Sequence, residues 1–86
     1  MNREELRKTL LDILEEMGII LDEEGDFDIQ EYITDSAIYM SFIVSMEQRL
    51  GIEIPDEFLM LSKMGSFYAY CDSLLLLMNE GKQNNG

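Results

Sequence analysis

The stretch DSAIYMSFIVSMEQRLG, residues 35–51, decides the reading of this chain. Asp35 suits a helix N-cap, because its carboxylate can accept from a free backbone N–H and sits at the positive end of the helix dipole. Gly51 suits the left-handed residue that closes a helix. The spacing between them predicts a helix over Ser36 to Leu50. Nine of those fifteen residues are apolar, too many for one face. Tyr39, Phe42, Ile43, Met46 and Leu50 form a core stripe. Ala37, Met40 and Val44 form another at spacings of three and four, while Ser41, Ser45 and Gln48 mark the wet side. A helix apolar on two sides is either deeply buried or offers one side to something else.

The same logic extends outward in both directions. Towards the N-terminus, Leu6, Leu10, Ile13, Leu14 and Met17 recur at helical spacing. Asn2 caps that segment, with Glu5 completing a capping-box pattern, and Gly18 with Ile19 closes it. The first helix is predicted over Arg3 to Met17. Between the two helices, Asp22 to Asp35 holds seven acids and no base. Such a run repels itself, yet Phe27, Ile29, Tyr32 and Ile33 give it apolar anchors. The expectation is a long ordered connection pinned to the core, of the kind that is often functional.

Towards the C-terminus, Ile52-Glu53-Ile54 alternates briefly before Pro55 stops any strand and pre-sets a helical turn. A short helix is predicted over Phe58 to Ser62. Ser66 then caps a last helix with apolar positions Phe67, Tyr70, Cys71, Leu74, Leu75 and Met78. Gly81 is expected to end it, leaving residues 82–86 as a polar tail and residues 1–81 as one domain. The fold class is all-α: a small bundle of three longer helices and one short one.

Composition removes several functions. The 86 residues carry 18 acids, 6 bases and no histidine, for a formal charge of −12, and the pI is near 4.1. No nucleic acid is expected as a partner, because neutralising phosphates requires clustered Lys and Arg. No apolar run approaches the roughly 18 residues of a membrane span. The opening Met1-Asn2-Arg3-Glu4-Glu5 has no apolar stretch, so no secretory leader is expected. One cysteine cannot form an internal disulfide, which fits a reducing cytoplasm. Without histidine the usual general base and imidazole metal ligands are missing, so an enzyme acting alone is not expected.

The acidic run does not make a calcium loop. Placing Gly25 at the required sixth position puts Ile20 first, and starting at Asp22 puts Phe27 sixth and Ile33 twelfth. A solvated charge run is the better reading, and no metal is expected. Cys71 lies on an apolar stripe and reads as a buried, inert thiol. The seven methionines need nothing beyond core filling, Met40 excepted.

Ser36 admits two readings. One is a helix-start serine that shares the capping with Asp35. The other is an exposed hydroxyl suited to carrying a phosphodiester, because unpaired N–H groups and the helix dipole there favour negative charge. No histidine or lysine lies near it in sequence to activate it as a nucleophile.

Asp35-Ser36-Ala37, a helix to Met46-Glu47, and then Gly51-Ile52-Glu53-Ile54-Pro55-Asp56-Glu57 resemble an acyl carrier protein. In that family an Asp-Ser-Leu motif opens the second helix and an Ile-Pro-Asp/Glu element follows it. The resemblance spans nearly the whole chain, including the acidic charge, the long first connection and the short third helix. It implies an acyl-carrier-like bundle, monomeric and cytoplasmic, that is a carrier and not an enzyme.

On that resemblance Ser36 bears phosphopantetheine, transferred from coenzyme A by a separate magnesium-dependent phosphopantetheinyl transferase. The thiol of the arm holds an acyl group as a thioester and presents it to loading and processing enzymes of fatty-acid, polyketide or related specialised biosynthesis. Asp35 positions the helix start and assists the transferase contact. Ala37, Met40 and Val44 form the docking stripe, with Glu47 an acidic contact. Two alternatives remain: an aminoacyl or peptidyl carrier, and an unmodified carrier-like module that binds a protein through the same stripe.

The sequence also departs from the family. Ala37 replaces the usual leucine, and Ile38 and Ser41 stand where fatty-acid carriers typically have acids. Gln48 and Arg49 interrupt an acidic run. Docking through this helix should therefore lean on apolar contact more than on charge.

Overall fold

In the computed structural model, residues 1–21, 25–55, 58 and 65–84 are described, the last five by backbone alone. Three α-helices account for most of them: α1 over Arg3–Glu16, α2 over Ser36–Leu50 and α3 over Phe67–Asn84, with a 3-10 turn at Ile29–Glu31. The fold is all-α. The short helix predicted over Phe58 to Ser62 falls almost wholly outside the described residues.

The helix ends form where their side chains dictate. Asn2 Oδ1 accepts from Glu5 N at 2.8 Å and opens α1. At its far end Gly18 turns left-handed at φ 85°. Gly18 N then donates to Glu15 O and Ile19 N to Leu14 O, which satisfies two otherwise unpaired carbonyls. Met17, predicted as the last helical residue, is the cap instead. Asp35 Oδ1 accepts from Ala37 N at 2.8 Å and opens α2, which Gly51 closes at φ 67°. Ser66 Oγ accepts from Ala69 N at the start of α3.

Gly81 does not end α3, which continues to Asn84. Among the described glycines only Gly18, Gly25 and Gly51 are left-handed. Gly81 stays right-handed, where it costs a helix only about 1 kcal/mol relative to alanine. Residues 82–84 of the expected tail are therefore helical.

α1 packs against both α2 and α3. Leu6, Leu10, Ile13 and Leu14 from α1 meet Tyr39, Phe42, Ile43 and Met46 from α2, and Phe67, Tyr70, Cys71 and Leu74 from α3. Each fully buried Leu, Ile or Phe contributes about 1.5–3 kcal/mol. Among the described residues the buried core is apolar and aromatic, while Arg7 Nε is buried without a hydrogen-bond partner.

The connection from α1 to α2 is pinned as its apolar anchors predict. Phe27, Ile29 and Ile33 are buried. Phe27 stacks on Phe67 with centroids 4.7 Å apart and meets Tyr32 edge-on at 5.2 Å. The acids of this connection are not all solvated, however. Asp28 accepts from Gln30 N and starts the 3-10 turn. Asp26 Oδ1 accepts from Phe27 N at 3.0 Å and from Tyr68 N at 2.8 Å, so it caps α3 across 42 residues of sequence. Phe67 N donates to Phe27 O and Ile29 N to Gly65 O, which completes the seam. Among the described residues no helix is long and apolar enough to cross a membrane.

Candidate functional site

Ser36 is the first residue of α2, and it is exposed. Two anchors fix its position: Ile33, three residues before it, and Tyr39, three residues after it, are both buried. The capping is done by Asp35, whose backbone is extended and whose carboxylate engages Ala37 N. Tyr39 N donates to Asp35 O at 3.0 Å and starts the helical ladder. Among the described residues nothing hydrogen-bonds the Ser36 hydroxyl. It is therefore free, on a rigid platform, beside the unpaired N–H groups of a fifteen-residue helix. The chain has no histidine and no lysine near Ser36 in sequence, so the hydroxyl can accept a group that another protein delivers but is not armed to attack alone.

The second stripe of α2 faces solvent. Ala37 is exposed, Met40 is 42% exposed and Val44 46%. Ile38 joins them at 40%. These side chains lie within about two turns of Ser36 on the same helix. Ser41 is exposed too, its hydroxyl donating to Ala37 O.

Glu47 is placed differently from the rest of the stripe. It is half-buried, and its Oε2 accepts from Ile54 N at 2.9 Å. Its carboxylate thus secures the chain after Gly51. Arg49, the other charged residue of α2, pairs with Glu16 at 2.5 Å. Such an exposed pair stabilises by about 0–1 kcal/mol. α2 carries one acid, Glu47, and one base, Arg49, so the helix itself is close to neutral on a chain of −12.

The core behind the site is polar at one point. Tyr39 Oη donates to the Phe58 carbonyl and lies 3.1 Å from Tyr70 Oη. Burial pushes the ionisation of both phenols upward, with the hydrogen bond from Tyr70 partly opposing it at Tyr39. Cys71 is fully buried, and burial pushes its thiol up to about 12, with Arg7 partly opposing the shift and Asp72 and Asp26 adding to it. A thiol so protonated is inert.

Among the described residues no group of three or more Cys, Asp or Glu is placed to hold a metal ion. One surface that the helical periodicity did not single out is an open apolar cleft at the C-terminal end of α1. Its only trace in the sequence is Ile20, an apolar residue beyond the helix cap that belongs to no core stripe.

Comparison of the chain with protein-family models, with curated proteins and with solved structures finds no match.

Proposed function

We propose that this chain is a phosphopantetheine-bearing carrier with an acyl-carrier-like bundle, and that Ser36 is the attachment point. The observation that carries the reading is the free, exposed hydroxyl of Ser36 at the capped start of α2, beside an exposed apolar stripe. The motif resemblance from Asp35 to Glu57 supports the same position.

The residues fit the group. A phosphodiester on Ser36 Oγ meets solvent and the positive end of the helix dipole, with no buried side chain to displace. The arm supplies a thiol that carries an acyl group. The chain supplies the hydroxyl, the rigid platform between Ile33 and Tyr39, and a neutral apolar face at Ala37, Met40 and Val44 for the enzymes that load and process the cargo. Within this reading the chain is a cytoplasmic monomer and no enzyme itself, and acyl cargo is favoured over aminoacyl or peptidyl cargo. The short helix expected over Phe58 to Ser62 belongs to the same proposal.

A fluorescent coenzyme A analogue, magnesium and a broad-specificity phosphopantetheinyl transferase test the reading. One label per chain is expected, lost in Ser36→Ala and slowed severalfold in Met40→Asp. No labelling by several competent transferases would leave the chain as an unmodified interaction module.

A further inference from the structure

A concavity lies away from Ser36 in sequence, where α1 ends. It is an open cleft of about 670 Å³ lined by Leu11, Glu15, Ile19, Ile20, Leu21 and Phe27. Two left-handed glycines, Gly18 and Gly25, complete it without adding a side chain to fill it. Leu11, Ile19 and Leu21 are half-buried and Phe27 is buried, so the floor is apolar and already built. At the rim Ile20 is 81% exposed, more than any other large apolar side chain described. An apolar floor with an apolar residue held out beside it favours an extended protein contact over an enclosed small ligand.

Charge narrows the partner. Among the described residues the only ionisable one in the lining is Glu15, exposed on α1, and the chain as a whole carries −12. A second copy brings the same excess of negative charge and is repelled. A free fatty acid brings a carboxylate to the same rim. A segment with apolar side chains on one face and lysine or arginine on the other satisfies both floor and rim. A helix presents side chains in that way, with apolar residues at i, i+3 or i+4 and i+7.

We propose that the cleft at the end of α1 docks a basic amphipathic helix of another protein, its apolar face on Leu11, Ile19, Leu21 and Phe27 and a cation beside Glu15. None of the described lining residues lies on α2, and the proposal does not depend on the carrier reading.

The full chain, labelled with nitrogen-15, is titrated with a synthetic helical peptide of leucines on one face and lysines on the other. Saturable shifts confined to Leu11, Gly18 to Leu21, Gly25 and Phe27 are expected, and they are unchanged in Ser36→Ala. Ile20→Asp and Glu15→Lys, both surface substitutions, should each weaken binding about tenfold, while Val44→Asp should leave it unchanged. Equal binding by a peptide with serine in place of leucine would reduce the effect to bulk attraction and overturn the proposal. So would shifts centred on Ile38, Met40 and Val44, tighter filling by an uncharged alkyl glucoside, or concentration-dependent dimerisation that protects the cleft.

Discussion

Asp26 and Tyr68 stand 42 residues apart in sequence, yet the Asp26 carboxylate accepts the Tyr68 amide at 2.8 Å. Together with the Ser66 hydroxyl on Ala69 N, it satisfies the free N–H groups at the start of α3. The first connection is thus part of the helix that follows it by half the chain.

Asp26→Ala should therefore destabilise the fold by about 1–2 kcal/mol, the usual worth of a helix cap. Asp26→Asn, which keeps an acceptor oxygen, should lose less. Urea denaturation of both variants checks the order. Equal stability of Asp26→Ala and the parent chain would mean that Ser66 caps α3 unaided.

Glu47 gives a second, separable outcome. Its Oε2 holds Ile54 N, so Glu47→Ala leaves that part-buried amide without its acceptor and should lower stability by about 1 kcal/mol. Glu47→Gln should restore most of it. If Glu47→Ala instead slowed modification of Ser36 without touching stability, the residue would be a partner contact.

Alkaline pH should weaken the fold. Burial holds Tyr39, Tyr70 and Cys71 protonated where the unfolded chain has released its protons. Stability is then fully present below about pH 9, the ordinary thiol value, and falls as pH climbs towards 12, the raised value of Cys71. Each group so affected contributes a slope of about 1.4 kcal/mol per pH unit. Thermal melts between pH 8 and about pH 11 should show the decline, flattened in Cys71→Ala.

The two stripes of α2 should respond oppositely to truncation. Phe42 is fully buried, and Phe42→Ala should cost about 3–5 kcal/mol. Val44 is 46% exposed, and Val44→Ala should change stability by less than about 0.5 kcal/mol. Chemical denaturation of the pair distinguishes core from surface directly.

These contrasts mark what was legible in the sequence. Local chemistry was: Asn2, Asp35 and Ser66 cap the helices they were read to cap, and the stripes of α1, α2 and α3 face the core, with Met17, Leu50, Leu75 and Met78 only partly buried at their ends. Contacts distant in sequence were not. Nothing in an acidic run singles out Asp26 from its neighbours until the fold brings Tyr68 N to it. Nor does a glycine near a chain end reveal whether it will turn left, and Gly81 does not. Glu47 reads as a surface acid from its position, and only the return of the chain at Ile54 claims it. The placement of Ser36 was legible, because it depends on two local features, the Asp35 cap and the buried residues three places to either side.

The intact mass of the purified chain, before and after exposure to coenzyme A, magnesium and a phosphopantetheinyl transferase, decides whether Ser36 is an attachment point. A gain of one phosphopantetheine is expected, mapped by fragmentation to Ser36 and missing from Ser36→Ala. An unchanged mass with transferases that modify other carriers, or a gain that persists in Ser36→Ala, would contradict it.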